Sequence, residues 1–116
     1  MLLLLICLHS HYIYCHYEPI PFPPAHCIAS GKVLLAYLPL GMLNEILDRK
    51  PLEASTEKTI TNKGILLKQL ETIRLQGYAT EFEEYEQGVC CVAAPIRRFD
   101  GQIAAALSIT SLANKF

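Results

Sequence analysis

The sequence has no surplus of basic residues, and this absence excludes one class of function. Its 116 residues include 10 Lys and Arg against 11 Asp and Glu, which gives a net charge of −1. The densest basic group is the pair Arg97 and Arg98, next to a turn signal. Surfaces that bind phosphate backbones usually concentrate positive charge on one face. We therefore expect this segment not to bind nucleic acid by itself.

The sequence also lacks a long apolar run and paired-cysteine motifs. The opening run MLLLLICL has eight residues, too few to span a bilayer, and no positively charged region precedes it as in a signal peptide. The five cysteines are odd in number and contain no CxxC spacing, which fits a disulfide framework poorly and a reducing cytosol better; they are Cys7, Cys15, Cys27, Cys90 and Cys91. These absences predict a cytoplasmic protein without membrane attachment.

What is present indicates one folded domain with an unusual start. Hydrophobic residues make up 52% and charged residues 18%, which argues against disorder. Residues 1–17 form an apolar, aromatic N-terminal segment that could pair as one or two strands. Residues 18–25 (EPIPFPPA) contain four prolines and therefore predict an extended connector. The predicted domain covers residues 18–116.

Periodicity predicts three helices in the first two thirds of the chain. Ser30 is placed to cap a helix whose inward residues include Val33, Leu34, Tyr37 and Leu38, and which Pro39 and Gly41 break. A shorter helix is predicted at 42–48, and a polar loop at 49–60. The clearest helix is predicted at 62–76, with Thr61 or Asn62 as N-cap and Gly77 as C-terminal stop.

Three strands are predicted after these helices, at 78–84, 89–97 and 102–110. Asp100-Gly101 stands between two alternating apolar runs, which is a strong hairpin signal. The strand at 89–97 is apolar on both sides, so it is expected to be central or to lie between helices and a ligand cavity. This order predicts an α+β fold, with helices packed on one face of an antiparallel sheet.

A few polar groups within these apolar elements are candidates for binding a small ligand. Backbone amides at Ala29-Ser30-Gly31 favour an anion at a helix N-terminus, with Gly31 allowing close approach. Ser108 and Thr110 lie two apart on a strand, so their hydroxyls point the same way and could help to hold a carboxylate. The simpler alternative is that Ser30 only caps its helix and the hydroxyls face water.

A thiol and a carboxylate complete this candidate group. Cys91 shares a strand face with Ala93 and Pro95. It is interpreted either as part of a pocket wall or as a small residue of the core. Glu81 and Glu83 are expected on one strand face and Glu84 on the other, with only Glu81 pointing inward.

Metal and phosphate-loop chemistry are not supported by the spacing of candidate residues. Ser30-Gly31-Lys32 fails the phosphate-loop pattern, because Val33 stands where a Ser or Thr would hold magnesium. The possible metal ligands match no closed zinc motif; they are His9, His11, His16, His26 and Cys27. We expect neither a metal nor another cofactor.

Residues 22–110 resemble the C-terminal effector-binding domain of IclR-type bacterial transcription regulators. The resemblance depends on motifs in a compatible order: Ser30-Gly31-Lys32, Arg74 with Gly77-Tyr78-Ala79, Glu83-Glu84, Gly88-Val89, Cys91 through Pro95, Asp100-Gly101, and Ala106-Leu107-Ser108-Ile109. It implies a GAF-like sheet with helices packed on it, binding a small organic acid or related metabolite. By alignment with the family's motifs, it implies as ligand-binding residues Ala29, Ser30, Glu81, Cys91, Ser108 and Thr110.

The resemblance also sets expectations about partners and about what is missing. Regulators of this type bind DNA through a winged helix-turn-helix domain, which nothing in this sequence resembles, and they act as dimers or tetramers. Glu81 stands where Asp is more usual. We therefore expect a domain truncated at both ends, with DNA contacted only through a domain absent here and homo-oligomers in the intact protein.

Two other functions stay open from the sequence. The first is a remnant of a truncated regulator that acts only as an oligomerisation module. The second, weaker one is a small hydrolase that uses Cys91 as its nucleophile. We expect no enzyme activity, because no neighbouring base or low-pKa environment for Cys91 is visible in the sequence.

Overall fold

The structure, a computed structural model, describes residues 2–8 and 25–115 and confirms the predicted α+β class. Its three helices are α1 (Ala29–Ala36), α2 (Leu40–Arg49) and α3 (Lys63–Gln76). Its four strands are β1 (Leu2–Leu8), β2 (Ala79–Phe82), β3 (Val89–Arg97) and β4 (Ile103–Leu112). Short 3-10 turns at Ala25–Cys27 and Ala113–Lys115 flank the main elements. The rest of the predicted N-terminal segment and the connector up to residue 24 lie outside the described residues.

The strands form one antiparallel sheet in the order β1-β4-β3-β2. β3 is therefore a central strand, as its two apolar sides predicted. The β3–β4 hairpin turns at Asp100-Gly101, where Gly101 has a φ of 89°, a value that favours glycine. The amide of Arg98 donates to the carbonyl of Gln102 at 2.7 Å and closes the turn. This hairpin places Cys91 opposite Thr110 and Ala93 opposite Ser108.

The third helix has the ends that its sequence predicted. The Asn62 side chain accepts a hydrogen bond from the amide of Ile65 at 3.0 Å and so caps the N-terminus. Gly77 ends the helix in the left-handed conformation, with φ 87°, and its amide donates to Ile73. The buried stripe Leu66, Leu70 and Ile73 faces the core.

The first two helices differ from the prediction at their N-terminal ends. The N-cap of α1 is Ile28, in an extended conformation and without a side-chain cap, so Ser30 lies inside the helix and does not cap it. The 3-10 turn just before Ile28 sets this earlier start. α2 begins at Leu40 with Pro39 as its N-cap, so Gly41 lies within the helix and does not break it. Proline is tolerated there because the first amides of a helix have no intrahelical acceptor.

The core lies between the helices and one face of the sheet. All of α1 is buried, and Val33 and Leu66 pack in one cluster with Ala79, Ala93 and Ala106 of the sheet. Small side chains on the sheet allow α1 to approach it closely. The interior beneath α1 is therefore the region where the predicted site residues must lie.

Candidate ligand-binding site

Three of the predicted site residues form a row across neighbouring strands. Glu81 of β2 is paired with Cys91 of β3, and Cys91 is paired with Thr110 of β4. The Cys91 Sγ lies 3.1 Å from the Thr110 Oγ1. The thiol also makes a side-chain hydrogen bond with the Glu81 carboxyl group. Hydrogen bonds between side chains therefore connect these three residues from β2 to β4.

The other three predicted residues border the same layer. Ser108 lies two residues before Thr110, and strand alternation puts both on the same side of β4. Ala29 belongs to the core cluster that contains Cys91, and Ser30 follows it in the buried first turn of α1. The structure thus brings the amino end of α1 and the row on the sheet to the same side of the sheet.

Within residues 25–115, the layer between α1 and the sheet is closely packed. Three cavities along residues 25–115 lie elsewhere, and none of these three is lined by any of the six residues. All six except Thr110 are buried. Alanines on the facing surfaces allow α1 to pack closely on the sheet.

Lys32 and Glu84 form a buried ion pair that the sequence analysis missed. The Lys32 Nζ lies 2.6 Å from the Glu84 Oε1, and Lys32 has no exposed surface. The amide of Glu84 in turn donates to the Glu81 Oε2 at 2.8 Å. One signal was available in the sequence, because Lys32 is the only charged residue in α1, which otherwise consists of apolar and small residues.

The prediction that Glu81 alone would point inward is wrong. β2 ends at Phe82, and Glu83 has a φ of 58°, which is uncommon for a residue other than glycine. The chain therefore leaves the alternating strand geometry, and Glu84 returns to the buried side occupied by Glu81. The alternation of an ideal strand placed Glu84 on the opposite face.

The Glu81 carboxyl group has a raised pKa. Burial is the largest cause, because it disfavours the charged form. Hydrogen bonds from the Glu84 amide and the Cys91 thiol oppose the shift, and so does the positive charge of Lys32, whereas the negative charge of Glu84 adds to it. A protonated carboxyl group can donate a hydrogen bond as well as accept one.

Burial also raises the pKa of the Cys91 thiol, to about 12. The hydrogen bond from Thr110 lowers it, while the neighbouring Glu81 raises it further. Burial likewise raises the pKa of the Cys27 thiol to about 11. Because the thiolate is the nucleophile, these environments disfavour covalent catalysis at neutral pH.

The predicted polar loop is fixed over the carboxyl end of β2. The Thr56 hydroxyl donates to the carbonyl of Glu83 at 2.6 Å, and the Thr59 hydroxyl donates to the carbonyl of Glu84. The Cys27 Sγ lies 3.9 Å from the Ser55 Oγ. The loop thus covers the side of the polar cluster formed by Glu81, Glu84 and Lys32.

Gly31 has a role other than the predicted close approach of a ligand. A Cβ at this position would lie 2.4 Å from the carbonyl oxygen of Ala25. The absent side chain makes room for the chain's own 3-10 turn, which packs on the N-terminal turn of α1. The close approach that the sequence indicated is therefore a contact within the protein.

The described residues contain no group of three or more His, Cys, Asp or Glu arranged to hold a metal ion. The His26 Nε2 is 2.8 Å from the carbonyl oxygen of Glu53, a contact that ties the 3-10 turn to the following loop. His9, His11 and His16 lie outside the described residues. Within residues 2–8 and 25–115, no helix is long and apolar enough to cross a membrane.

The fold and the site together define a class of protein: an α+β domain with a polar cluster buried between its first helix and its sheet. Residues 22–116 match the model of the family described as "Bacterial transcriptional regulator IclR C-terminal". The chain belongs to this family and corresponds to the effector-binding domain of its regulators.

Individual relatives agree with this assignment. The HTH-type transcriptional regulator XynR of Escherichia coli strain K12 is 39% identical over 92 residues, which are 79% of this chain and 36% of that protein. The C-terminal domain of E. coli KdgR is 33% identical, with a TM-score of 0.83 over 97% of this chain and 72% of that one. The chain thus spans about a third of the length of the curated relatives that it matches.

A related domain has been solved with a ligand. It is the inducer-binding domain of a PobR double mutant from Acinetobacter, in complex with 3-hydroxybenzoic acid. It is 27% identical, with a TM-score of 0.84 over 97% of this chain and 74% of that one.

Proposed function

We propose that this domain binds a small organic acid between α1 and the sheet, and that binding controls DNA binding by another part of the regulator. The observation that carries the proposal is the hydrogen-bonded row Glu81, Cys91 and Thr110 within an otherwise apolar layer. Buried polar groups of this kind fix the orientation of a small ligand in many binding sites. The proposed ligand-binding residues are Ala29, Ser30, Glu81, Cys91, Ser108 and Thr110.

Each end of such a ligand would have a matching group. The hydroxyls of Ser108 and Thr110 would donate to a carboxylate, together with the amides at the start of α1. Glu81 would bond a ligand hydroxyl, and its raised pKa allows it to donate as well as accept. The buried charge of Lys32 would favour an anion nearby, because charges attract strongly where water is excluded.

We propose that α1 and the sheet move apart to admit the ligand, and that this movement couples binding to regulation. The loop bearing Ser55, Thr56 and Thr59 is the segment whose contacts close the carboxyl end of β2. A ligand that binds the open arrangement more tightly than the closed one would shift the population between them. We place the intact regulator in the cytoplasm, where bacterial DNA lies.

The test is ligand binding by the intact regulator. Small organic acids, including 3-hydroxybenzoate, would be screened by thermal shift, and a positive acid would be titrated by calorimetry. Ser108→Ala should weaken binding about tenfold or more, the effect of losing one hydrogen bond to a charged group. Thr80→Ala is the matched control, because Thr80 is an exposed hydroxyl on β2.

Two outcomes would contradict the proposal. One is that no acid in a broad panel raises the melting temperature of the regulator. The other is that Ser108→Ala and Thr80→Ala bind the positive acid equally well.

A second function is favoured by a separate observation on the opposite face of the sheet. Phe82, Ile96, Leu107 and Ile109 are exposed there, with 52% of Phe82 accessible to solvent. Apolar patches of this kind often mark interfaces between proteins. We propose that this face contributes to self-association of the intact regulator. Leu107→Lys should shift sedimentation towards smaller species, whereas Leu75→Lys, at an exposed position of α3, should not.

A further inference from the structure

The buried ion pair of Lys32 with Glu84 lies next to the proposed effector site. Among residues 25–114, Lys32 is the only lysine or arginine with a buried side chain. Its Nζ lies 2.6 Å from the Glu84 Oε1, and an ammonium group has three hydrogen-bond donors, of which this contact uses one. The interior therefore contains a cation that already holds a carboxylate.

The contacts of Glu81 connect this pair to the row Glu81, Cys91 and Thr110. The Glu81 Oε2 accepts a hydrogen bond from the amide of Glu84 at 2.8 Å. Burial raises the pKa of the Glu81 carboxyl group, and the positive charge of Lys32 partly opposes this rise, so Lys32 acts on the same carboxyl group that bonds Cys91. The charge of Lys32 would therefore attract an acid bound to this row.

The charges in this layer favour an exchange of partners when an acid binds. Two carboxyl groups, those of Glu81 and Glu84, share one ammonium group, and an acid would bring a third carboxyl group without a second cation. Burying an anion without a partner is costly. The cost falls if the incoming carboxylate pairs with Lys32 and the carboxylate that it replaces moves into water.

Of the two partners in the ion pair, Glu84 is the one with access to water. The Lys32 side chain has no exposed surface and belongs to α1, which is buried throughout. The Glu84 side chain exposes 11% of its surface, and it lies beyond the end of β2 in the turn that also contains the exposed Glu86. In an exchange, Lys32 would therefore stay inside and Glu84 would turn outwards.

We propose that Lys32 is the counter-ion of the effector's carboxylate, and that Glu84 pairs with Lys32 until the effector replaces it. This inference rests on the function proposed above and adds Lys32 to the ligand-binding residues. Glu84 acts as an internal competitor, which a neutral ligand does not displace. The backbone carbonyl of Glu84 accepts a hydrogen bond from the Thr59 hydroxyl, so movement of Glu84 also affects the loop over the carboxyl end of β2.

The first test uses acetate and does not depend on the identity of the effector. Glu84→Ala removes a methylene and a carboxylate, which acetate matches, and leaves Lys32 without its partner. The intact regulator would be melted in sodium acetate and in sodium chloride of equal concentration at neutral pH. Acetate should raise the melting temperature of Glu84→Ala above its value in chloride, increasingly with concentration, because a ligand of the folded state stabilises that state. If Glu84→Ala is unfolded in chloride, circular dichroism should show that acetate refolds it.

Matched variants separate this rescue from the general effect of acetate on protein stability. Glu45→Ala removes an exposed carboxylate from its pair with Arg49 and should show the same small difference between the two salts as the parent. Lys32→Met combined with Glu84→Ala should lose the additional effect of acetate, because the ammonium group is gone. The proposal is overturned if acetate stabilises Glu84→Ala no more than Glu45→Ala, or if the double variant keeps the additional effect.

The second test measures the competition by Glu84 directly. Glu84→Gln keeps the volume of the side chain and removes its charge. Each acid of the panel that binds the parent, with 3-hydroxybenzoate as the first probe, should bind Glu84→Gln about tenfold or more tightly in calorimetry, because no internal carboxylate competes for Lys32. The neutral analogue 3-hydroxybenzamide should not gain affinity. Equal or weaker binding of the acid by Glu84→Gln would overturn the role of Glu84.

The two tests also separate this inference from the proposed function. If no acid of the panel binds the parent, the proposed effector function fails, and the acetate test still decides whether Lys32 accepts a free carboxylate. If an acid binds the parent and Glu84→Gln equally well, the effector function stands and the exchange at Lys32 is overturned.

Discussion

Lys32 shows how a single residue can depend on a contact far away in the sequence. Its partner Glu84 is 52 positions away and is the group that compensates its charge in the interior. Taking both charges out of water is costly, so the pair itself adds little stability compared with apolar residues of similar volume. Removing only one partner is different, because it leaves the other charge buried and uncompensated.

We therefore predict that Lys32→Met lowers the free energy of unfolding by about 3–5 kcal/mol. The double variant Lys32→Met with Glu84→Gln should recover much of this loss, because no lone buried charge remains. Chemical denaturation measures both values. The control is Arg49→Met, which breaks the exposed pair with Glu45 and should cost less than about 1 kcal/mol. Equal losses in the single and double variants would contradict the prediction.

Glu81 gives a pH dependence whose sign follows from its raised pKa. The folded state holds the proton more tightly than the unfolded state, whose value is near 4.5. The resulting stability is fully present below pH 4.5 and is lost as pH rises through the folded-state pKa. Glu81→Gln, which resembles the protonated form, should therefore gain stability relative to the parent as pH rises above 4.5.

Denaturation curves of Glu81→Gln and the parent at several pH values from 4 to 8 would check this sign, with the exposed Glu71→Gln as control. A stability difference that is constant over this range, or that falls with rising pH, would show that Glu81 titrates normally in the folded chain.

At the scale of elements, the two glycines in α1 and α2 serve different purposes. Gly31 is in contact with the 3-10 turn, where a Cβ would lie 2.4 Å from the Ala25 carbonyl oxygen. At Gly41, a Cβ would meet no atom within 4 Å apart from its chain neighbours and the backbone of its own helix. Packing therefore excludes a side chain at position 31. At position 41, only the low helix propensity of glycine affects stability.

We predict opposite effects for alanine at these two positions. Gly31→Ala should lower the free energy of unfolding by about 1–3 kcal/mol, because the turn must move away from α1. Gly41→Ala should raise it by about 0.5 kcal/mol, because alanine loses less backbone entropy on folding. Thermal and urea denaturation of the two variants would measure both, and the same sign for both would contradict this assignment.

At the scale of the whole molecule, the sheet joins the beginning of the chain to its end. β1 pairs with β4 over seven residues, from Leu2 opposite Ser111 to Leu8 opposite Ala105. Replacing residues 2–8 with a Gly/Ser segment of equal length should expose the backbone of β4 as a free edge. We expect a lower melting temperature and increased self-association, measured by calorimetry and sedimentation. A variant with the parent's melting temperature and oligomeric state would show that this pairing contributes nothing.

Local signals in the sequence determined much of this fold. Asn62 and Gly77 fixed the ends of α3, and Asp100-Gly101 fixed the hairpin that places Cys91 opposite Thr110. Each of these signals acts through hydrogen bonds or backbone angles a few residues apart, so the sequence is enough to reveal it. The IclR motifs likewise identified the family, and the match over residues 22–116 confirmed it.

Only the tertiary structure decided which groups are buried together. The ion pair of Lys32 with Glu84, the contact of Gly31 with Ala25 and the packing of α1 on the sheet each depend on how separate elements pack. The positive φ of Glu83 returned Glu84 to the interior against the alternation of an ideal strand. The burial of a residue depends on every element that packs against it. A local sequence pattern does not specify which elements these are.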